Sequence, residues 1–272
     1  MVIVSAGTIA FLFRLDAMDE RELSEACWED RQIIRINAAG RTAIPDRVIR
    51  EETWSLYVNE ADGQRNLVNT AACSPVDLEA LAVGWAFTRG YLRDRNDLGS
   101  ITIDKKAGTV SLALRNNNKN SVAVVSEESA GDITLSPKDI YAVWETFNAR
   151  CPLYQATGAA HAMAVTDGTQ ILMLAEDVSR RNALAKIIGK VILDDVDPRG
   201  KALLVSSRLA DDMFAMIEPM GIKIVLCNGA VSAGAIRRAE AAGVTLAGCI
   251  KSGNMNVYSH AGSLSDFDKN TC

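Results

Sequence analysis

The sequence predicts an α/β fold in which strands and helices alternate along the C-terminal half of the chain. Short apolar runs predict strands at 161–166, 171–175, 202–206, 222–227 and 244–250. Segments with apolar residues at helical spacing lie between them and predict helices at 180–193, 209–219 and 231–242. Because this alternation is typical of βαβ units, we expect a mainly parallel sheet with helices packed on its faces.

The N-terminal part of the chain predicts a smaller α+β subdomain over residues 46–135. Apolar runs indicate strands at 53–59 and 66–72, and a turn with the sequence KKAG joins strands at 100–104 and 109–114. Between these pairs a helix is expected, with Ser74 as N-cap, Pro75 at the first helical position and Asp77 at the capping-box position. Residues 1–45 lack periodicity, so we expect a partly ordered arm there.

The α/β domain is expected to cover residues 136–262 and to be followed by a tail at 263–272. Its first helix has the start signature Ser136-Pro137-Lys138-Asp139, in which the serine and the aspartate form a capping box.

The composition indicates a cytoplasmic protein that binds neither nucleic acid nor membranes. The net charge of −5 is unfavourable for a phosphate-binding face that covers a nucleic acid. The longest apolar run, residues 2–13, is too short to span a bilayer and has no basic segment before it. Met18 is an alternative start of translation.

The cysteines and histidines do not indicate a metal site. The six cysteines are widely scattered without a CxxC pair, and His161 and His260 are the only histidines. We therefore expect reduced thiols and no bound metal.

Charged and small residues follow several of the predicted strands, where ligands of α/β sheets usually bind. The stretch EDVSRR at 176–181 has two interpretations. In one, Glu176 and Asp177 neutralise Arg180 and Arg181 in a salt-bridged helix cap. In the other, Ser179 caps the helix and the two arginines hold an anionic ligand.

Two further strand ends carry candidate ligand-binding side chains. His161 follows the small residues of TGAAH and can bond a ligand, carry a proton or be a structural group. Arg208 lies in SSRLADDM, where Asp211 and Asp212 are favourable in the first turn of a helix. The stretch CNGAVSAGA at 227–235 leaves room for a phosphate or a flat ring but matches no nucleotide-binding fingerprint.

Five motifs in order resemble the FdhD/NarQ family of formate dehydrogenase accessory sulfurtransferases. They are CSPVDLEALAVGW at 73–85, TGAAHAMAV at 157–165, EDVSRRNALAKIIG at 176–189, SSRLADDM at 206–213 and GCIKSGNMNVYSH at 248–260. The resemblance implies a cytidine-deaminase-like three-layer core and a homodimer. It also implies sulfur transfer from a cysteine desulfurase to the molybdenum cofactor, bis-molybdopterin guanine dinucleotide, before the cofactor enters formate dehydrogenase.

The resemblance also implies where the cofactor binds. The family's binding segment maps to Cys249, Ile250, Lys251, Ser252, Gly253 and Asn254. Arg180, Arg181, His161 and Arg208 are expected to join this segment, and a GDP-like fragment of the cofactor is expected to bind there.

The chain departs from the family where the sulfur-carrying loop falls. The family's CGxCG loop is replaced by VVSEESAGD, so that Glu127 and Ala130 stand at the two cysteine positions. Neither side chain can carry a persulfide. The family's EDVGRHNAxDK motif also changes, with Ser179, Arg181 and Ala185 in place of Gly, His and Asp.

Three functions follow from this comparison. In the first, the chain transfers sulfur through another thiol, for which Cys73 is the candidate because helix amides can lower a thiol pKa. In the second, the chain is a non-catalytic carrier or docking protein for the cofactor. A deaminase-like metal enzyme is disfavoured, since the His/Cys/Cys ligand set is absent from the sequence.

Overall fold

The N-terminal half of the chain is built around a five-stranded sheet. The structure is a computed structural model that describes residues 2–5, 20–115, 133–251 and 253–265. Its first elements are β1 (Val2–Ser5), α1 (Glu20–Cys27), β2 (Trp28–Asn37), β3 (Gly40–Ile49), β4 (Glu52–Asn59), β5 (Arg65–Cys73), α2 (Leu78–Thr88), β6 (Leu98–Asp104) and β7 (Thr109–Leu114). The sheet has the order β1-β6-β7-β4-β5, and β2 pairs with β3 in a separate hairpin.

The C-terminal half forms a six-stranded sheet with the order β13-β12-β11-β10-β8-β9. Its elements are α3 (Pro137–Ala149), α4 (Pro152–Thr157), β8 (His161–Thr166), β9 (Ile171–Asp177), α5 (Arg180–Leu193), β10 (Ala202–Val205), α6 (Asp211–Ile217), β11 (Ile224–Cys227), α7 (Ala233–Ala241), β12 (Thr245–Lys251) and β13 (Asn254–Ser259). The predicted α/β class is confirmed.

The expectation of a mainly parallel sheet is wrong. Only the pairs β10–β11 and β11–β12 are parallel, whereas β8–β9, β8–β10 and β12–β13 are antiparallel. Short turns join β8 to β9 and β12 to β13, and a short turn can connect only antiparallel neighbours. The predicted helices between β10, β11 and β12 correctly indicated parallel crossover connections. The two hairpins add antiparallel strands on both sides of these three strands.

Alternating side chains of the six-stranded sheet contribute to two different hydrophobic cores. Met163 and Val165 face one core, which includes buried residues of α5, α6 and α7. Ala162 and Ala164 face the other core, which includes the buried side of α3. The sheet is therefore the middle of three layers, as expected of a strand whose two faces are both covered.

Helix α2 connects the two sheets by crossing α5 at very short distance. A Cβ atom on Gly84 would lie 1.8 Å from the carbonyl oxygen of Ala185, and one on Gly189 would lie 1.9 Å from that of Ala80. Only glycine allows backbones to approach this closely. The two glycines therefore fix where the two halves of the molecule meet.

One predicted helix start is confirmed and the other is wrong. Ser136 and Asp139 form the expected capping box at α3. By contrast, α2 begins at Leu78, with Asp77 as its N-cap residue at φ 52° and without a side-chain cap. The Ser74 hydroxyl accepts a bond from the Val178 amide at 3.1 Å instead of capping the helix. A tertiary contact has replaced the local cap that the motif predicted.

The N-terminal arm contains more regular structure than its sequence indicates. Helix α1 and the β2–β3 hairpin lie within or across the expected arm, and the predicted boundary at residue 45 falls inside β3. Leu23, Cys27 and Trp28 are buried against Val76 and Leu153. The division into domains otherwise stays a prediction, and 266–272 of the expected tail lie outside the described residues.

No helix in the described part of the chain has the length and apolar character needed to cross a bilayer.

The close crossing predicts that Gly189→Ala destabilises the fold. The added methyl group would collide with the backbone of α2, so we expect a loss of about 2–3 kcal/mol in unfolding free energy. Chemical denaturation monitored by circular dichroism measures this. Gly262→Ala is the control, because nothing lies within 4 Å of a Cβ there. Equal stability of the two variants would show that the helices do not cross this closely.

Candidate functional site

The candidate ligand-binding residues lie at one edge of the six-stranded sheet. Strands β10, β11 and β12 are parallel and end at this edge. Because β8 is antiparallel to both β9 and β10, β9 also ends there and β8 begins there. The topology thus places His161, Arg180, Arg208 and Lys251 along the same edge, which we call the carboxyl edge.

The strand order sets how the cations are distributed along the carboxyl edge. Arg208 follows β10, two strands from β9, which precedes Arg180, and two strands from β12, which ends at Lys251. At about 4.8 Å per strand, the outer two positions are about 19 Å apart along the sheet. These groups can therefore act together only on an extended ligand, and Arg208 lies in the middle.

The acids of EDVSRR do not neutralise the arginines beside them. Asp177 forms an ion pair of 2.6 Å with Lys186, and both side chains are 0% exposed. Its other carboxylate oxygen accepts a hydrogen bond from the amide of Ser179 at 2.8 Å. The interpretation as a salt-bridged cap of Glu176 and Asp177 on Arg180 and Arg181 is therefore wrong. The side chain of Ser179 makes no capping bond either.

Glu176 is used at the start of α4. Its two carboxylate oxygens accept hydrogen bonds of 2.9 Å from the amides of Leu153 and Tyr154. Burial raises the pKa of Glu176 to about 7, although these two amides act in the opposite direction. The carboxyl group satisfies the first free amides of the helix, which is a structural role.

Two lysines on successive turns of α5 complete this buried network. Burial alone would lower the pKa of Lys186, but the charge of Asp177 outweighs it and holds the pKa above its usual value. The ammonium group also donates to the Ser74 carbonyl at 3.0 Å. Lys190 lies 2.9 Å from a carboxylate oxygen of Asp77 and donates to the Leu174 carbonyl at 2.7 Å. The network therefore joins α5 to β9 and to the segment before α2.

Arg181 forms an ion pair with Asp212, a partner that the sequence did not predict. Its Nε donates to a carboxylate oxygen of Asp212 at 2.7 Å, and the side chain of Arg181 is 51% exposed. The predicted role of Arg181 as an anion ligand is therefore weakened, because its charge is already balanced. The partner lies 31 residues away, so no local pattern indicated it.

The other three cations at the carboxyl edge remain available. Arg180 is half-buried, whereas Arg208 and Lys251 are exposed. Within the described residues, no carboxylate lies at ion-pair distance from any of the three. Arg180 also interacts electrostatically with Asp212, so the positive charge that no carboxylate of the described residues balances is that of Arg208 and Lys251.

His161 lies beside Arg180 at the same edge. It is half-buried and pairs in register with Asp177 across the β8–β9 ladder. Burial and the positive charge of Arg180 lower the pKa of His161, against the opposing charge of Asp177. The imidazole is therefore neutral at pH 7 and can both donate and accept a hydrogen bond.

The loop after β11 is pressed against the loop that carries Arg208. A Cβ atom on Gly229 would lie 2.5 Å from the amide nitrogen of Arg208, and the Gly229 carbonyl accepts the amide of Cys249 at 3.0 Å. Glycine is required here because of this close backbone approach. The three strand ends are thereby held together under the exposed side chains.

The predicted binding segment 249–254 only partly faces solvent. Cys249 is half-buried, and Lys251, Gly253 and Asn254 are exposed in the turn to β13. Ile250 is 1% exposed and belongs to the core below α3, so its predicted contact with a ligand is wrong. Ser252 lies outside the described residues.

The candidate nucleophile Cys73 is not a reactive thiol. It is 0% exposed, and burial raises its pKa to about 12. The expected lowering of its pKa by helix amides is wrong, since α2 begins only at Leu78. Glu127 and Ala130, at the family's cysteine positions, lie outside the described residues.

The part of the chain that the structure describes contains no group of three His, Cys, Asp or Glu side chains able to hold a metal ion.

The sequence matches a known protein family over most of the chain. A sequence model described as the FdhD/NarQ family matches residues 49–265. The chain belongs to the FdhD/NarQ family. The match contains both strand ends that carry arginines and the whole buried network, whereas helix α1 and most of the β2–β3 hairpin precede it.

Individual relatives match over most of the chain. A protein of Halalkalibacterium halodurans named sulfur carrier protein FdhD is 26% identical over 253 residues, which cover 84% of this chain and 92% of the relative. The protein of the same name from Staphylococcus aureus is 27% identical over 247 residues, with coverages of 82% and 91%.

A solved structure shows the same fold. It is a proposed formate dehydrogenase accessory protein from Desulfotalea psychrophila, with a TM-score of 0.75 and 21% identity. The alignment covers 88% of this chain and 100% of that structure.

The buried pair predicts that Lys186→Met is strongly destabilising. The variant leaves Asp177 buried without a counter-charge, so we expect a loss of about 3–5 kcal/mol in unfolding free energy. Guanidinium denaturation measures it. Lys106→Met is the control, because Lys106 is an exposed lysine in a turn, where surface substitutions change stability by only about 0.5 kcal/mol. A small loss in both variants would contradict the buried pair.

The pKa of Glu176 predicts a pH-dependent stability. Between its ordinary value of 4.5 and about 7, the folded protein keeps a proton that the unfolded chain has released. The stabilisation is therefore present below pH 4.5 and is lost as the pH rises through 7, by about 3 kcal/mol in total.

Denaturation midpoints of the wild type and of Glu176→Gln between pH 5 and 8 test this. His161 titrates in the same range with the opposite sign, so the difference between the two proteins is the informative quantity. We expect the advantage of the wild type to shrink as the pH rises. A difference that is independent of pH would show that Glu176 does not titrate there.

Proposed function

We propose that this chain is a formate dehydrogenase accessory protein that binds bis-molybdopterin guanine dinucleotide at the carboxyl edge and takes part in its sulfuration. In this role a cysteine desulfurase supplies the sulfur and formate dehydrogenase receives the cofactor. Support comes from family membership and from the names of the relatives, sulfur carrier protein FdhD and formate dehydrogenase accessory protein. The proposed setting is the cytoplasm, with the chain as a homodimer.

The observation that carries the cofactor-binding part is that exposed Arg208 and Lys251, which no carboxylate of the described residues pairs with, share the carboxyl edge with Arg180. A guanine dinucleotide carries pyrophosphate groups, and arginine binds phosphate through charge-assisted, often bidentate hydrogen bonds. Arg208 takes the central phosphates, with Arg180 on one side and Lys251 on the other. The extended shape of such a ligand suits the distance between the outer cations.

Neutral His161 adds hydrogen bonding without adding charge. Because burial and Arg180 disfavour the imidazolium form, His161 can accept a proton or a hydrogen bond from a polar group of the ligand at pH 7. The buried network has a different task in this proposal. It fixes the start of α5, so that Arg180 is carried by a rigid helix and not by a loop.

The sulfur-transfer part has a specific alternative, which is a cofactor carrier without sulfur chemistry. The sequence has no CxxC pair. Burial also raises the pKa of the Cys27, Cys73, Cys151 and Cys227 thiols to about 12, so these four are poor nucleophiles. Retention of sulfur by a cysteine of this chain separates the two functions.

Titration with GDP, a fragment of the proposed substrate, tests the binding site. Isothermal titration calorimetry of Arg208→Ala should show binding weakened by about tenfold to a hundredfold, because one charge-assisted contact contributes roughly 1.5–3 kcal/mol. Arg180→Ala and Lys251→Ala should have smaller effects, since these side chains lie at the two ends of the site.

Arg199→Ala is the matched control for this titration. Arg199 precedes β10 and therefore lies at the opposite edge of the sheet, where it pairs with Asp197. Its loss should leave GDP affinity unchanged. Equal effects of Arg199→Ala and Arg208→Ala, or no binding of GDP by the wild type, would contradict the proposed site.

A further inference from the structure

Cys249 differs from every other cysteine that the structure describes. Cys27, Cys73, Cys151 and Cys227 are buried, whereas Cys249 is half-buried. It lies near the end of β12, two residues before Lys251 on the carboxyl edge. A thiol that exchanges sulfur with another molecule must be accessible, and Cys249 is the least buried of these five thiols.

The backbone turns the Cys249 side chain out of the regular strand pattern. Its φ angle is 54°, and the pairing of β12 with β13 shifts register between Gly248 and Lys251. A bulge of this kind redirects a side chain at the rim of a sheet. The Cys249 amide is held by the Gly229 carbonyl at 3.0 Å, so the turned-out position is fixed.

Cys249 belongs to a cluster with Cys227 and Tyr258. The sulfur of Cys249 lies 3.8 Å from the Tyr258 hydroxyl, within hydrogen-bonding distance for sulfur. Around Gly248, the Cys227 sulfur and a ring carbon of Tyr258 both lie 3.1 Å from the place of a Cβ atom. The Cys227 thiol donates a hydrogen bond of 3.2 Å to the Gly229 carbonyl, the same oxygen that accepts the Cys249 amide. Two thiols and a hydroxyl therefore meet at one point of the carboxyl edge.

We propose that Cys249 is the sulfur-carrying thiol of this chain, with the Tyr258 hydroxyl and the Cys227 thiol as its neighbours. This rests on the proposed sulfur-transfer function and gives it a nucleophile at the edge where the phosphates would bind. The substrate of the cluster is a persulfide, whose outer (sulfane) sulfur is transferred to Cys249. Lys251, two residues further along, adds positive charge that favours an anionic donor at this position.

The transfer is a thiol exchange at the outer sulfur of the donor. The Cys249 thiolate attacks the sulfane sulfur of a persulfide R–S–SH, a new S–S bond forms, and the donor S–S bond breaks. The donor leaves as the thiolate R–S⁻ with the electron pair of the broken bond, and Cys249 becomes Cys–S–SH. The Tyr258 hydroxyl is placed to donate a hydrogen bond to the Cys249 thiolate before the attack.

Persulfide mapping on the wild-type protein tests the proposal. The protein is incubated with glutathione persulfide, alkylated, digested without reduction and analysed by mass spectrometry. We expect one added sulfur atom on the peptide that contains Cys249, no added sulfur there in Cys249→Ser, and retention in Cys227→Ser. Tyr258→Phe should slow the labelling severalfold, because the thiolate loses one hydrogen bond.

The outcomes separate this proposal from the proposed function. Added sulfur on a cysteine other than Cys249 overturns the assignment, while sulfur carriage by the chain stands. No added sulfur on any cysteine overturns the assignment and leaves the cofactor carrier, provided that GDP still binds with the dependence on Arg208. Loss of both sulfur and GDP binding rejects the proposed function itself.

Discussion

The buried ion pair between Asp177 and Lys186 holds the two halves of the molecule together. Both groups are fully buried, and together they bind the amide and the carbonyl of Ser74, in the segment that leads to α2. A single buried charge would be very costly, so each partner fixes the position of the other. The pair therefore locks β9, α5 and the N-terminal half together, and the glycine crossing of α2 and α5 continues the same contact.

The buried ion pair divides the charged residues of the stretch 176–186 into two groups. Glu176, Asp177 and Lys186 face inward and are satisfied by the protein, whereas Arg180 and Arg181 stay at the surface. Asp212 then balances Arg181, and the remaining positive charge is shared by strand ends that are far apart in sequence. The buried network is rigid, and the cations of the carboxyl edge lie on top of it. This arrangement favours a polyanionic ligand, because few protein groups must be ordered when the ligand binds.

Local patterns allowed most strands and helices to be predicted, since each of them has its own periodicity or cap. The helix start at Ser74 could not be predicted, because the hydroxyl bonds to Val178 across the molecule. The partner of Arg181 and the burial of Ile250 likewise depend on chain crossings that single segments do not show. One sequence pattern does indicate the buried ion pairs. Lys186 and Lys190 lie one helical turn apart within the apolar run ALAKIIGKVIL, where a lysine needs a buried partner.

A crystal structure of this chain with bound GDP shows directly which cations hold the phosphates. We expect phosphate oxygens within hydrogen-bonding distance of the Arg208 guanidinium and of Arg180 or Lys251, with Lys186 still paired to Asp177. Phosphates held by Lys186, or bound away from the ends of β9, β10 and β12, would contradict the division of charges between a structural interior and a binding edge.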